Sequence, residues 1–299
     1  MITVREIARL RAELANHRRA GRSIGLVPTM GALHDGHVSL IHRALEQTDV
    51  VVVSLFVNPA QFNDADDLSS YPRDQTRDAE LVARLGVAYL FAPPVAEIYP
   101  PGYSTTVRVH GVSEGLEGAQ RGIGHFDGVA TVVTKLFNIV APDRAYFGRK
   151  DAQQVAVIQR LVRDLDIPVA VEACPTVRDP DGLALSSRNR RLGPAGRARA
   201  TALSRALASV ARAAADGCDR TAALAAGRSE LERAGIEAEY LEVVDPATML
   251  PSELDGDERL AVVAAHVGPV RLIDNLPVRR VSPDPHNQVA TPIGAPTDR

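Results

Sequence analysis

Tryptophan is absent from this chain of 299 residues, and aromatic residues together make up only 4% of it. The aromatics that exist are unevenly placed, eleven of the twelve lying between Phe56 and Phe147 and leaving only Tyr240, which predicts two units of different make-up. Cysteine is almost as scarce. Cys174 and Cys218 stand far apart and form no CxxC pair, so neither a disulfide framework nor a thiolate zinc site is indicated, and both read as ordinary buried thiols. No apolar run approaches the roughly 18 residues of a membrane-spanning helix, and the first residues, MITVREIARLRAEL, lack the continuous apolar core of a signal peptide. A soluble, cytoplasmic protein without a membrane partner is the expectation. An excess of positive charge is also missing: 34 Lys and Arg face 37 Asp and Glu, for a net charge of -3, so no global field would hold a nucleic-acid backbone. Two common nucleotide signatures are absent as well. There is no Walker A loop, and Gly122-Ile123-Gly124 is followed by Gly128, one place too late for the dinucleotide fingerprint.

What is present, 45% hydrophobic and 24% charged residues, suffices for one large or two ordinary domains and excludes disorder for most of the chain. Thr3 and Glu6 have the spacing of a capping box, and Val4, Ile7, Leu10 and Leu14 recur at helical intervals, which predicts a first amphipathic helix. A short buried strand at 24–27, a helix at 38–47 and an uncharged β-branched run at 50–57 follow. The alternation continues through a helix at 77–85, a strand at 88–91, a helix at 129–140, a strand at 144–147, a helix at 153–165 and a strand at 169–173. Strands separated by helix-length segments imply right-handed crossovers, so the fold class is α/β with a doubly wound, parallel, Rossmann-like sheet. From about Pro194 the chain turns Ala- and Arg-rich, and strand candidates at 240–244, 260–265 and 271–273 no longer alternate with helices. We expect a larger unit over 1–177, a smaller closing α+β unit over 178–281 and a disordered tail over 282–299.

In a doubly wound sheet, ligands bind beyond the carboxyl ends of the strands, which directs attention to the loops opening at Pro28, Asn58, Gly148 and Thr176. The first, Pro28-Thr29-Met30-Gly31-Ala32-Leu33-His34-Asp35-Gly36-His37, joins a strand to a helix. A helix amino terminus suits a phosphate, the glycines let backbone approach closely, and two histidines can donate to phosphate oxygens that gain charge during displacement. A polar turn with two exposed histidines is the plain alternative. A metal pair is a poor fit, because a structural zinc site wants four ligands and no cysteine lies nearby to complete them.

PTMGALHDGH resembles the H-x-G-H signature of nucleotidyl-transferring α/β proteins, and in its longer form the pantoate–β-alanine ligase family. The resemblance runs from the first helix to about Leu276. It includes Phe56-Val57-Asn58-Pro59-Ala60-Gln61-Phe62, Tyr71-Pro72-Arg73, His125-Phe126-Asp127-Gly128-Val129, Phe147-Gly148-Arg149-Lys150-Asp151, Gln153-Gln154 and Leu185-Ser186-Ser187-Arg188-Asn189, in that order. Membership implies ATP-dependent condensation of pantoate with β-alanine. Pantoate's carboxylate attacks the α-phosphorus, pyrophosphate leaves, and the amine of β-alanine then attacks the bound pantoyl adenylate to release AMP. Such chemistry must neutralise a triphosphate, place a carboxylate in line and keep water from a mixed anhydride.

Residue by residue, the resemblance implies an ATP-binding loop at Met30, Gly31, Ala32, Leu33, His34, Asp35, Gly36 and His37, with His37 in the place of the family's proton donor. His34, His37 and Lys150 are the expected catalytic residues. Gln61 and Gln154 match the two amides that hold pantoate, Gln61 also bordering β-alanine; a neutral amide bonds hydroxyl and carboxylate oxygens without blunting the nucleophile. Gly148, Arg149, Lys150 and Asp151 form the second nucleotide segment, with Lys150 a flexible cation and Asp151 an acceptor for ribose hydroxyls. Val177 offers backbone groups to adenine, and Leu185, Ser186, Ser187 and Arg188 address the β- and γ-phosphates from a loop that can close over ATP. Magnesium is expected with the triphosphate. Asp78 occupies the place of a family carboxylate and is the candidate metal ligand, with an exposed helix aspartate as the alternative. A homodimer is also implied.

Three departures stand out. Arg121-Gly122-Ile123-Gly124-His125-Phe126 replaces the family's shorter R-P-G-H-F, which raises the question whether Arg121 reaches its usual place. Ala152 stands where K-D-Y-Q-Q has its aromatic. Leu185 replaces a methionine, a volume-conserving change. A divergent paralogue with another acid or amine, and a noncatalytic nucleotide binder, are the two competing readings.

Overall fold

The computed structural model describes residues 1–63, 68–69, 71–122, 124–255 and 258–279. The expected tail at 282–299 and Ile123 lie outside the described residues. The first unit is built on β1 (Ile2–Val4), α1 (Ile7–Arg19), β2 (Ile24–Thr29), α2 (Asp35–Gln47), β3 (Val50–Leu55), α3 (Gln75–Arg84) and β4 (Tyr89–Phe91). After the short helices α4 (Val95–Ile98) and α5 (Glu117–Arg121) come α6 (Gly124–Val140), β5 (Arg144–Gly148), α7 (Ala152–Asp164) and β6 (Ala170–Cys174). The six strands are all parallel, in the order β1-β4-β3-β2-β5-β6. The direction of winding reverses between β2 and β5, so the loops after these two strands open a crevice at a topological switch point.

The uncharged run in β3 shows why both faces are covered. Val50 and Val52 pack into the cluster with α1, α6 and α7, whereas Val51 and Val53 pack into the cluster with α2 and α3, as the two-residue period of a strand requires. The expected capping box at Thr3 and Glu6 is not formed. Thr3 lies in β1, paired in register with Leu90, and α1 starts only at Ile7, whose N–H donates to Glu97 Oε1 at 2.7 Å. Pairing along the free edge of β4 won over a local cap.

Downstream, α8 (Pro194–Ala215) and α9 (Arg220–Arg233) cover one face of an antiparallel sheet, β7 (Ala238–Val244), β8 (Arg259–Val267) and β9 (Val270–Val278). Alternation divides this sheet too: Val243, Ala261, Val263 and Leu272 pack with the two helices, while Val244, Leu260 and Val262 join the larger core of the parallel sheet. The small sheet is therefore wedged between its own helices and the first unit. Among the described residues no helix is long and apolar enough to cross a membrane.

Candidate active site

The loop after β2 leads into α2 through two histidines that cap each other. His34 is the N-cap, and its Nδ1 accepts from the Gly36 N–H at 3.1 Å; Nδ1 of His37 accepts from the His34 N–H at 3.4 Å. With Nδ1 used as acceptor, each ring carries its hydrogen on Nε2. The rings lie 4.2 Å apart between centroids. Burial, helped by Lys150 and Arg190, pushes the His34 pKa down to about 4, and burial with His34 as neighbour pushes His37 to about 3. Both are thus neutral Nε2–H donors near pH 7.

A second wall comes from the turn after β3. Gln61 sits at the end of the 3-10 turn Pro59–Gln61, and its Oε1 accepts from Asn58 Nδ2 at 3.0 Å while its Nε2 lies 3.1 Å from Met30 Sδ. The carbonyl end of the amide is therefore tied down, and the N–H end faces only a weak sulfur acceptor. Asn58, 1% exposed, is itself held by Tyr99 Oη, by the Ala60 N–H and by the Gly128 carbonyl. His125 donates from Nδ1 to the Gln61 carbonyl at 2.8 Å, and burial with Arg121 alongside lowers its pKa to about 4. Gly128 allows α6 to press on this turn: a Cβ there would stand 2.3 Å from the Ala60 carbonyl oxygen.

The remaining walls come from the end of β5 and from the second unit. Lys150 Nζ lies 3.8 Å from Asp151 Oδ1 and is largely covered. It is one of only two lysines in the chain, against 32 arginines. Asn275 of β9 donates from Nδ2 to the carbonyls of Arg149 and Lys150 at 2.8 and 2.9 Å, and Arg178 grips the neighbouring Asp274 through two nitrogens at 2.6 and 2.9 Å. The turn Ser187–Arg191 starts with Ser186 Oγ accepting from the Arg188 N–H, and Arg190 reaches back to the Leu33 carbonyl at 3.3 Å.

One cleft is lined by fourteen of the expected residues: Met30, His34, Gly36, His37, Gln61, Gly148, Lys150, Asp151, Gln154, Val177, Leu185, Ser186, Ser187 and Arg188. Six lie outside it. Ala32 and Leu33 are buried in the interior with Gly31 beside them, Asp35 is exposed on α2, and the Arg149 side chain turns to the Ala173 carbonyl. Asp78 is not the exposed helix residue of the alternative reading: it is 3% exposed, and its Oδ2 and Oδ1 accept from the N–H groups of Ala32 and Leu33 at 2.8 and 2.9 Å. No group of three or more His, Cys, Asp or Glu side chains converges on a common point among the described residues.

Arg121, in the lengthened loop, does reach the cleft. Its Nε donates to Glu117 at 2.9 Å, and Glu117 also receives both Arg271 amino nitrogens, at 2.6 and 2.8 Å, and Tyr240 Oη at 2.8 Å. Burial alone would raise the Glu117 pKa, but Arg271, Arg121 and Tyr240 together hold it at about 2. Gln153 supports the same turn, accepting from the Glu117 N–H and donating to the carbonyls of Val112 and Gly115. Arg190, Asp274 and Asn275 were not singled out from the sequence; each is legible only through partners distant along the chain. Ala152 lines the cleft, so the position that lacks the family's aromatic borders the site itself.

The profile of the family described as Pantoate-beta-alanine ligase matches residues 2–277. The chain belongs to this family. Among relatives of the pantoate–β-alanine ligase family, the pantothenate synthetase of Cereibacter sphaeroides is 54% identical over 277 residues, covering 92% of this chain and 99% of that one. The pantothenate synthetase of a Chelativorans species is 55% identical over 276 residues, covering 92% and 96%. A crystal structure of pantothenate synthetase from Thermus thermophilus superposes with a TM-score of 0.88 at 47% identity, over 92% of this chain and 99% of that one. A Francisella tularensis pantoate–β-alanine ligase, solved as a complex with β-γ ATP and β-alanine, gives 0.76 at 36% identity, over 92% and 97%.

Proposed function

We propose that this chain condenses pantoate with β-alanine using ATP, through a pantoyl adenylate, with release of pyrophosphate and then AMP. The observation that carries the reading is the meeting, in one cleft at the switch point, of phosphate-type donors with neutral amides: His34, His37, Lys150 and Arg188 beside Gln61 and Gln154. In this proposal the Nε2–H groups of His34 and His37 bond oxygens of the triphosphate, and they stabilise charge that grows as the pyrophosphate leaves. Lys150 and Arg188 neutralise the rest of the polyanion, Val177 borders adenine, and Asp151 accepts from the ribose. Gln61 presents the N–H end of its amide to pantoate, and Gln154 holds the acid from α7, so that the carboxylate meets the α-phosphorus in line. β-Alanine, having lost a proton from its ammonium group, then attacks the acyl carbon and displaces AMP. Magnesium enters here as part of the MgATP substrate.

Homodimer formation and a cytoplasmic setting belong to the same proposal. Both described cysteines are free, as suits a reducing compartment, and a light-scattering mass of twice 32.0 kDa checks the dimer. The decisive assay is exchange of labelled pyrophosphate into ATP. Exchange that depends on pantoate, with AMP appearing only on addition of β-alanine, supports the reading. Exchange driven by another hydroxy acid and not by pantoate would establish the divergent paralogue, and no exchange with any acid would leave a nucleotide binder.

A further inference from the structure

Asp78 presents a buried carboxylate whose work is done on backbone. It projects from the first turn of α3, where Asp74 is the N-cap, and its two oxygens take the consecutive N–H groups of Ala32 and Leu33. These amides belong to a stretch that chain geometry resists. Gly31 has φ +89° and Ala32 has φ +52°, the left-handed region that a residue with a Cβ seldom enters. A Cβ on Gly31 would stand 3.0 Å from Asp78 Oδ2, so glycine admits the carboxylate as well as the conformation. Leu33, the second residue held, is followed directly by His34, which caps α2 and is locked to His37.

We infer that Asp78 is the positioning residue of the phosphate loop: by bridging the amides of Ala32 and Leu33 it holds the left-handed turn that sets where His34 and His37 point their Nε2–H groups. Three features support this over a loose structural role. The carboxylate bonds two adjacent amides in one short loop rather than spreading over its own helix. Those amides flank the strained residue, where unaided backbone would relax. The loop then continues without a spacer into the two donors, so a change of backbone angle at Ala32 is carried to both rings. The Arg190 bond to the Leu33 carbonyl fixes the opposite side of the same peptide region. This inference rests on the proposed function for its readout, because only a reaction at the phosphates reports where the donors point.

The test is a set of variants assayed by pyrophosphate exchange. Asp78→Asn keeps the shape but offers one acceptor where two are needed, and Asp78→Ala offers none. We expect kcat/KM for ATP to fall about tenfold in Asp78→Asn and about a hundredfold in Asp78→Ala, with the KM for pantoate and the magnesium concentration for half-maximal rate unchanged. Adding Ala32→Gly, which removes the conformational penalty at that residue, should restore much of the loss in Asp78→Asn. It also provides a foldable background if the single variants do not accumulate. Wild-type kinetics in both Asp78 variants would overturn the inference. So would a raised magnesium requirement that excess magnesium cures while Ala32→Gly does not, which would make Asp78 a metal ligand after all. Failure of the wild-type protein to exchange would instead sink the functional reading, and that outcome is read from the wild type alone.

Discussion

The two sides of the cleft are held in different ways. The side carrying Met30 to Gln61 hangs from β2 and β3, central strands with both faces covered, and its loops are fixed from within the same unit: a histidine pair that caps itself, an asparagine that gathers its own turn, a carboxylate behind the backbone. The side carrying Val177 to Arg191 and Asn275 belongs to an aromatic-poor unit. It is joined to the first by side-chain bonds that cross more than a hundred residues, notably Arg271 to Glu117, Asn275 to Lys150 and Arg190 to Leu33. One wall is rigid because of where it sits in the sheet; the other is placed by a few charged and amide groups. Damage to the first should therefore appear in the chemistry, and damage to the second in stability and in nucleotide binding.

The sharpest way to break that contrast is His37→Ala, which we expect to lower the rate of adenylate formation by about two decades or more, with the circular-dichroism spectrum retained. Unchanged exchange kinetics would remove His37 from the reaction. On the other wall, Arg271→Ala leaves Glu117 buried with only part of its compensation, and loss of a partner from a buried pair costs about 3 kcal/mol. Denaturant titration should show a large drop in midpoint, while kcat of the remaining folded protein changes far less than in His37→Ala. A smaller effect is expected for Asn275→Ala, which frees the carbonyls of Arg149 and Lys150. We expect a rise in KM for ATP of about tenfold, equal to about 1.4 kcal/mol, with pantoate binding preserved; an unaltered KM would show that the second unit does not help place Lys150.

The mildest test is pH. His34 and His125 have folded pKa values of about 4 and His37 of about 3, against 6.5 when unfolded. Below pH 6.5 the unfolded chain takes up protons that the folded chain refuses, so stability should decline as pH falls from 6.5 toward 4. Glu117 adds a second decline lower down, its contribution being lost as pH falls from 4.5 toward its folded value of about 2. His125→Gln removes one of the three histidine titrations and should make the slope between pH 6.5 and 4 shallower. An unchanged slope would contradict the buried, neutral state of that ring.

The same contrast governs what could be read from the sequence. The strand–helix alternation and the short strings at strand ends were legible because each is local: β3 announces its two covered faces in six uncharged residues, and PTMGALHDGH carries its loop, cap and donors together. Thr3 and Glu6 misled because a local spacing was outweighed by β1 pairing with β4. Asp78 could be noticed but not understood, since its partners are backbone amides 45 and 46 positions earlier, and an amide leaves no mark in the sequence. Glu117 and Arg271 stand 154 positions apart, where no pattern of spacing links them.

The contact of Gly128 with the Ala60 carbonyl has a further consequence. Because α6 already touches the Pro59–Gln61 turn with no room for a methyl group, the turn cannot settle inward. If Gln61 meets the acid as proposed, the distance from the sheet to its amide works as a fixed gauge, cut by helix packing rather than by the binding residues themselves. A larger residue at 128 would act as a shim, displacing the gauge without touching the ligand. Discrimination between acids of different length would then be altered from behind the site.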